Sequence, residues 1–288
     1  MKIGGLRNYQ QQRALFRSFV MMVSLRFFLL VFVLMNSVLV GIGQELKLEK
    51  TISGEFDFLT TDHIGRMYLS RGYELFLYSK EGELMYQYSD LSRGEITNLD
   101  TRNPLKLLLF YPGYSQIAIL DNTLSLTRDI VQLSQLQLEL AQLACTSFDN
   151  GFWVYDPVSF RLIRFDQGLN PTNEVANINQ LVGLELNPNQ MLEHDSWLYM
   201  NDPDHGVFVF DSFGTFTKLI PIPGAERISV RSNGLFLEMK DKLIKYEELS
   251  LQQTEIELPM EKFKMLRIEK NKLFVLTETG VQIYTFRK

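Results

Sequence analysis

The chain has 288 residues, 45% of them hydrophobic and 22% charged, with one cysteine and a formal net charge of −5. That composition can build one large core or two small ones, and it excludes wholesale disorder and collagen-like order. A single cysteine excludes an intrachain disulfide and a cysteine-based zinc site, and the negative charge argues against a nucleic-acid-binding surface.

The first 43 residues differ from the rest. They hold Lys2, Arg7, Arg13, Arg17 and Arg26, no acidic residue, and an apolar run from Phe27 to Gly43 whose only polar side chains are Asn36 and Ser37. Basic flank, apolar stretch and closing small residues are the three parts of a secretory signal. Gly41 and Gly43 fit the −3 and −1 positions of a cleavage site, which would leave Gln44 as the new N-terminus. The alternative is a signal anchor: one N-terminal hydrophobic helix over residues 27–43, at the lower edge of what spans a bilayer. The basic stretch is long for a signal peptide, and initiation at Met21 or Met22 would shorten it. Either way residues 1–43 are expected to export the chain to the periplasm or cell envelope, with residues 44–288 as the folded domain. Without residues 1–43 there remain 24 basic and 34 acidic residues, a charge of −10 that repels nucleic acid. Cys145, in the apolar segment LACTSF, reads as a small buried hydrophobe.

From residue 46 onward one unit recurs: an apolar run, a polar loop, a second apolar run ending in a large residue, then a turn. The closing residues are Tyr78, Leu120, Phe165, Phe210, Tyr246 and Tyr284, spaced by 42, 45, 45, 36 and 38 residues. Tyr68, Leu108, Val154, Tyr199, Phe236 and Phe274 precede them by 10 to 12. The runs are too short for helices and rich in β-branched and aromatic residues. A weaker strand precedes each pair (FDFLTT, EITNLD, ACTSFD, QMLEHD, RISVRS, KMLRIE), and a further strand follows in ELMYQYS, LSLTRDI, GTFTKLIPI and LQQTEIELP. Four short strands per unit of about 40 residues predicts an all-β, six-bladed β-propeller with four-stranded antiparallel blades. The last unit ends after its third strand, so the alternating segment Leu46–Ile52 is expected to close the ring as the missing fourth strand. Ile130–Leu143 carries both strand-like and helix-like leucine spacing, and Asn170–Gln190 reads as a long surface loop.

The apolar pair, loop, aromatic-Asp and turn glycine resemble the six-bladed propellers of the NHL-repeat and TolB-like kind. The likeness covers residues 46–288 at the level of fold. The Asp after the aromatic is present as Asp121, Asp166 and Asp211 and replaced by Ser79, Glu247 and Thr285 elsewhere. A long leader before a degenerate propeller also looks like uncharacterised secreted proteins of bacterial envelopes.

In such a ring one face carries the second-to-third-strand turns and the blade-to-blade loops. There the sequence offers Tyr73, Tyr111 and Tyr114 for a protein or glycan partner, together with Asp156. Asp202, Asp204 and His205 have the oxygen spacing of part of a calcium loop, though Asp and Pro equally cap turns through the backbone. Asp62-His63 and His194-Asp195 lie beside the first-to-second-strand turns with the same two readings. Linear enzyme signatures such as G-x-x-x-x-G-K-[ST], H-E-x-x-H and G-x-S-x-G are missing. The expectation is therefore a non-enzymatic binding or scaffold protein without a cofactor. The alternatives are a propeller hydrolase or lyase with a metal at the channel mouth, or a membrane-anchored sensor ectodomain.

Overall fold

A computed structural model describes residues 46–286 of the chain. The expected leader or anchor over residues 1–43 lies outside the described residues. Among the described residues, no helix is long and apolar enough to cross a membrane.

Among the described residues, twenty-four strands form six antiparallel four-stranded sheets, each with its strands in chain order except the last. Blade 1 holds β2 (Phe58–Thr61), β3 (Met67–Arg71), β4 (Glu74–Tyr78) and β5 (Leu84–Ser89). Blade 2 holds β6 (Leu99–Asp100), β7 (Leu107–Tyr111), β8 (Gln116–Leu120) and β9 (Val131–Gln132). Blade 3 holds β10 (Leu143–Thr146), β11 (Phe152–Asp156), β12 (Arg161–Phe165) and β13 (Pro171–Val175). Blade 4 holds β14 (Gln190–His194), β15 (Trp197–Asp202), β16 (Gly206–Phe210) and β17 (Phe216–Ile220). Blade 5 holds β18 (Arg227–Arg231), β19 (Gly234–Glu238), β20 (Leu243–Glu247) and β21 (Gln252–Ile256). Blade 6 joins β22 (Met265–Glu269), β23 (Lys272–Thr277) and β24 (Gly280–Phe286) to β1 (Leu46–Ser53) from the other end of the domain.

The period of two in the strands explains the ring. Each second and third strand is covered on both faces because its blade is packed between two others. In β7, Leu107, Leu109 and Tyr111 meet Leu75 and Leu77 of blade 1, while Leu108 and Phe110 meet Phe152 and Val154 of blade 3. Six such apolar clusters fill the six junctions between blades. Outer strands such as β5 and β21 stay exposed and are correspondingly polar or mixed.

Closure follows the expected pairing. β1 runs antiparallel to β24 from Leu46↔Phe286 to Ser53↔Gly280, with a bulge between Leu48 and Lys50. Ile52 is the buried residue of β1 and joins the cluster between blades 6 and 1. Glu49 also accepts a 2.7 Å bond from Lys272 Nζ. This pairing removes the edge that β24 would otherwise expose.

The recurring Asp after the third strand has a local purpose. Asp211 Oδ1 accepts from the amides of Phe213 and Thr215, Asp121 Oδ1 from Thr123 and Ser125, and Asp166 Oδ1 from Asn170. Ser79 Oγ does the same for Glu81 and Glu83. The fourth residue of these turns has positive φ and is Gly82, Leu124, Leu169 or Gly214, so the left-handed position in blade 3 falls on Leu169 rather than on Gly168.

Three local expectations are corrected. Asn170–Gln190 is no bare loop: it contains β13, the missing outer strand of blade 3, and a one-turn helix α1 (Ile178–Val182). The outer strand of blade 2 is two residues at Val131–Gln132 rather than LSLTRDI, which reaches the sheet only through a bridge from Leu126 to Leu120. Ile130–Leu143 resolves into that strand, a 3-10 turn at Leu133–Leu136 and the first residue of β10.

Candidate functional site

Two regions gather functional groups: the loop face and the axial cavity. On blades 1–4 the loop face is built by bonds between the second-to-third-strand turn and the connection that leaves the same blade. Gly72 O accepts from Ile96 N at 2.8 Å, Ser115 O from Leu133 N at 2.9 Å, Phe160 O from Ile178 N at 3.0 Å and Pro203 O from Gly224 N at 2.7 Å. On blades 1–3 these turns and loops carry Tyr73, Leu91, Tyr114, Leu140, Val158, Phe160 and Leu181, between 42% and 73% exposed. The corresponding loops of blades 4–6 carry no large hydrophobic side chain exposed to that degree among the described residues. The loop face is thus divided into an apolar sector and a polar one.

Tyr73 and Tyr114 are exposed on that sector of the loop face. Tyr111 is not, because it is the last residue of β7 and the strand alternation turns it into the junction with blade 1, where it is 2% exposed. Burial pushes its phenol well above the ordinary value, with a contribution from nearby Tyr88. Asp156 is buried too, and it caps its own turn by accepting from Val158 N at 3.0 Å and from Ser159 Oγ.

Asp202, Asp204 and His205 come together as a turn. Asp202 is fully buried; its Oδ1 accepts from the amides of Asp204 and His205 and lies 3.1 Å from His205 Nδ1, while Oδ2 accepts from Asn187 N at 2.7 Å. These bonds engage both oxygens that a cation would need, and Asp204 points to solvent. Among the described residues no three His, Cys, Asp or Glu side chains lie close enough to share a metal ion.

The axial cavity has a volume of about 620 Å³ and is lined by blades 1, 2, 4, 5 and 6. Alternate residues of the inner strands face it: Gln190, Leu192 and His194 from β14, Arg227, Ser229 and Arg231 from β18. Most of its charges are paired. Asp100 accepts from Arg102 and from Thr146, and Arg231 Nε meets Glu269 Oε2 at 2.9 Å. Burial pulls the Asp100 carboxyl upward, but Arg102 and the bonds from Arg102 N and Thr146 outweigh it and hold the group below its ordinary value. At the junction of blades 3 and 4, Trp153 Nε1 donates to Glu193 Oε2 at 2.7 Å, and burial raises the Glu193 carboxyl. Nearby Cys145 is buried, and its thiol is pushed well above the ordinary value by that burial. His63 and His194, from blades 1 and 4, line this same cavity. Burial lowers the His194 imidazole below its ordinary value.

Sequence reasoning missed the axial arginines and carboxylates. They lie on the weakest strands of each unit and come from positions some 40 residues apart, so no linear spacing marks them.

No protein-family model and no curated relative matches the sequence. Solved structures do match. Virginiamycin B lyase from Staphylococcus aureus superposes with a TM-score of 0.56 at 10% identity, over 84% of this chain and 100% of its own. The Pan2 WD40 domain of Neurospora crassa gives 0.57 at 5% identity, over 85% and 97%. BBS1N in complex with ARL6DN gives 0.51 at 12% identity, over 81% and 78%. The chain is a six-bladed β-propeller. At these identities the likeness shows the fold alone, which a lyase, a WD40 domain and the BBS1N of a complex share.

Proposed function

We propose that this propeller is an exported, non-enzymatic binding protein of the cell envelope, and that it holds a protein partner on the apolar sector of its loop face. The observation that carries the reading is the asymmetry of that face. Seven large apolar side chains are exposed on the turns and loops of blades 1–3, and none to that degree on those of blades 4–6 among the described residues. Apolar side chains gathered on one sector mark association surfaces. Aliphatic Leu91, Leu140 and Leu181 beside Tyr73 and Tyr114 suit a protein better than a glycan, which needs aromatic platforms rather than leucines. The same architecture carries a protein partner in the complex of BBS1N with ARL6DN. Mutual pairing of most axial charges supports a binding role over catalysis. Export rests on the all-positive flank and the Phe27–Gly43 run, with a retained anchor as the alternative state of the same segment.

The test has two parts. Fractionation with intact-mass measurement of the native protein should find it outside the cytoplasm, beginning at Gln44 if the leader is removed. Full-length soluble protein in the cytoplasm would overturn export. The double variant Tyr73→Ser/Tyr114→Ser should fold normally and lose a partner co-purified with the native chain. Unchanged recovery of that partner would overturn the assignment of the face.

A further inference from the structure

The loop face leaves the cavity at the ring axis without a use, and its wall on blades 5 and 6 is electrostatically unfinished. Arg227 and Arg231 face the axis from β18, with Ser229 between them, and Arg267 faces it from β22. Two carboxylates answer these three guanidiniums. Glu238 sits 3.2 Å from Arg227 Nη1 and 3.6 Å from Arg267 Nη1, and Glu269 sits 2.9 Å from Arg231 Nε. On this wall one positive charge is left over, while Glu193, Asp195 and Glu226 line other parts of the same cavity.

Arg267 shares Glu238 with Arg227, at the longer of the two distances. Its side chain is 9% exposed. Nη1 donates to Leu266 O at 3.0 Å, and among the described residues Nε and Nη2 have no hydrogen-bond partner. Burial pulls this guanidinium down to about 10, and Arg227 and Arg231 add to the shift against the pull of Glu238. It remains a cation at neutral pH. Neither Nε nor Nη2 is sealed from solvent, so these N–H groups open to the cavity, where water or a ligand can accept from them.

We propose that the axial cavity is a binding site for a small organic monocarboxylate, held by the fork of Arg267 with Arg231 and Ser229 beside it. A single charge matches the surplus of this wall, whereas a dianion would be repelled more strongly by Glu238, Glu269 and the other carboxylates of the cavity. A planar carboxylate matches the two parallel N–H vectors of an arginine. Phe58 and Leu192, which also line the cavity, offer apolar surface to the body of the ligand. The volume of about 620 Å³ lies within the range of ordinary small-molecule sites.

The test is calorimetric titration of the full chain with acetate, butyrate and benzoate, and with benzamide and inorganic phosphate as the neutral and the multiply charged counterparts. At least one monocarboxylate should bind saturably and at least ten-fold more tightly than either counterpart. Arg267→Met should lower that affinity at least ten-fold. Arg267→Lys keeps the charge but loses the fork, and should lower it at least three-fold in a protein whose melting confirms folding; it carries the test if Arg267→Met does not fold. No saturable binding by any of the three acids, equal binding of benzamide or phosphate, or full affinity in folded Arg267→Lys would each overturn the proposal. A partner protein lost or retained at Tyr73 and Tyr114 leaves this outcome untouched, since the two sites are separate.

Discussion

Deleting residues 46–52 removes the strand that joins the two ends of the propeller. The deletion takes six of the seven residue pairs between β1 and β24, the Glu49–Lys272 ion pair and the buried side chain of Ile52. The ladder bonds contribute about 1 kcal/mol each. Ordering the backbone they belong to costs about as much per residue, so those terms nearly cancel. The net loss is then set by Ile52, about 2–4 kcal/mol on truncation of a buried isoleucine, together with the loss of cover over Val281 and Ile283 in β24. A total of about 3–5 kcal/mol corresponds to a fall of about 6–20 °C in melting temperature for a domain of this size. The exposed edge should also promote aggregation. Two point variants separate strand burial from chain removal. Ile52→Ala should lose about 2–4 kcal/mol, while Leu48→Ala, at a position 48% exposed, should stay within about 0.5 kcal/mol. The assay is thermal unfolding followed by circular dichroism. Equal melting temperatures for the deletion and the intact chain, or equal losses for Ile52→Ala and Leu48→Ala, would show that burial of β1 does not hold the ring closed.

Three further outcomes are expected. Gly214→Ala should destabilise by about 1–3 kcal/mol in chemical denaturation, because Gly214 has φ +86° and a Cβ would lie 2.5 Å from Val175 Cγ2 in the adjoining blade. Asp100 has a lowered carboxyl, so its contribution is fully present above its unfolded value near pH ~4 and is lost as the pH falls through its folded value. The melting temperature of the native chain should therefore fall more steeply than that of Asp100→Asn below about pH 4, and parallel acid limbs would contradict the assignment. Cys145 should resist a thiol reagent at pH 8 in the folded protein and react at once in denaturant, because it is 1% exposed and its thiol is raised.

The ring was legible in the sequence because its middle strands are buried on both sides. Tyr68, Val154 and Phe274 must be apolar in every blade, and so they repeat. Outer strands face solvent and carry no such demand: Pro171-Thr172-Asn173-Glu174-Val175 is as much a strand as its counterparts, yet its composition is that of a loop. Turn chemistry was legible only as an alternative, since Asp156 and Asp202 look alike whether they bind a cation or their own backbone amides. Tyr111 and Tyr114 are three residues apart on either side of Pro112-Gly113, which marks where β7 stops but not which face of the strand its last residue takes. Arg267 and Arg231 meet through the ring geometry, so their juxtaposition became visible only once the six blades were closed.

The proposed protein partner sits on the apolar sector of the loop face. Site-specific photo-crosslinking in cells of the native source measures this most directly, with the reactive side chain placed at Tyr114 on that sector or at Leu249 in the third-to-fourth-strand turn of blade 5, on the opposite face. Both positions are exposed, so folding is not at stake. One discrete adduct of the same mass is expected from Tyr114 and from Tyr73, and none from Leu249. Adducts of equal yield from both faces, or none from Tyr114 and Tyr73, would contradict it.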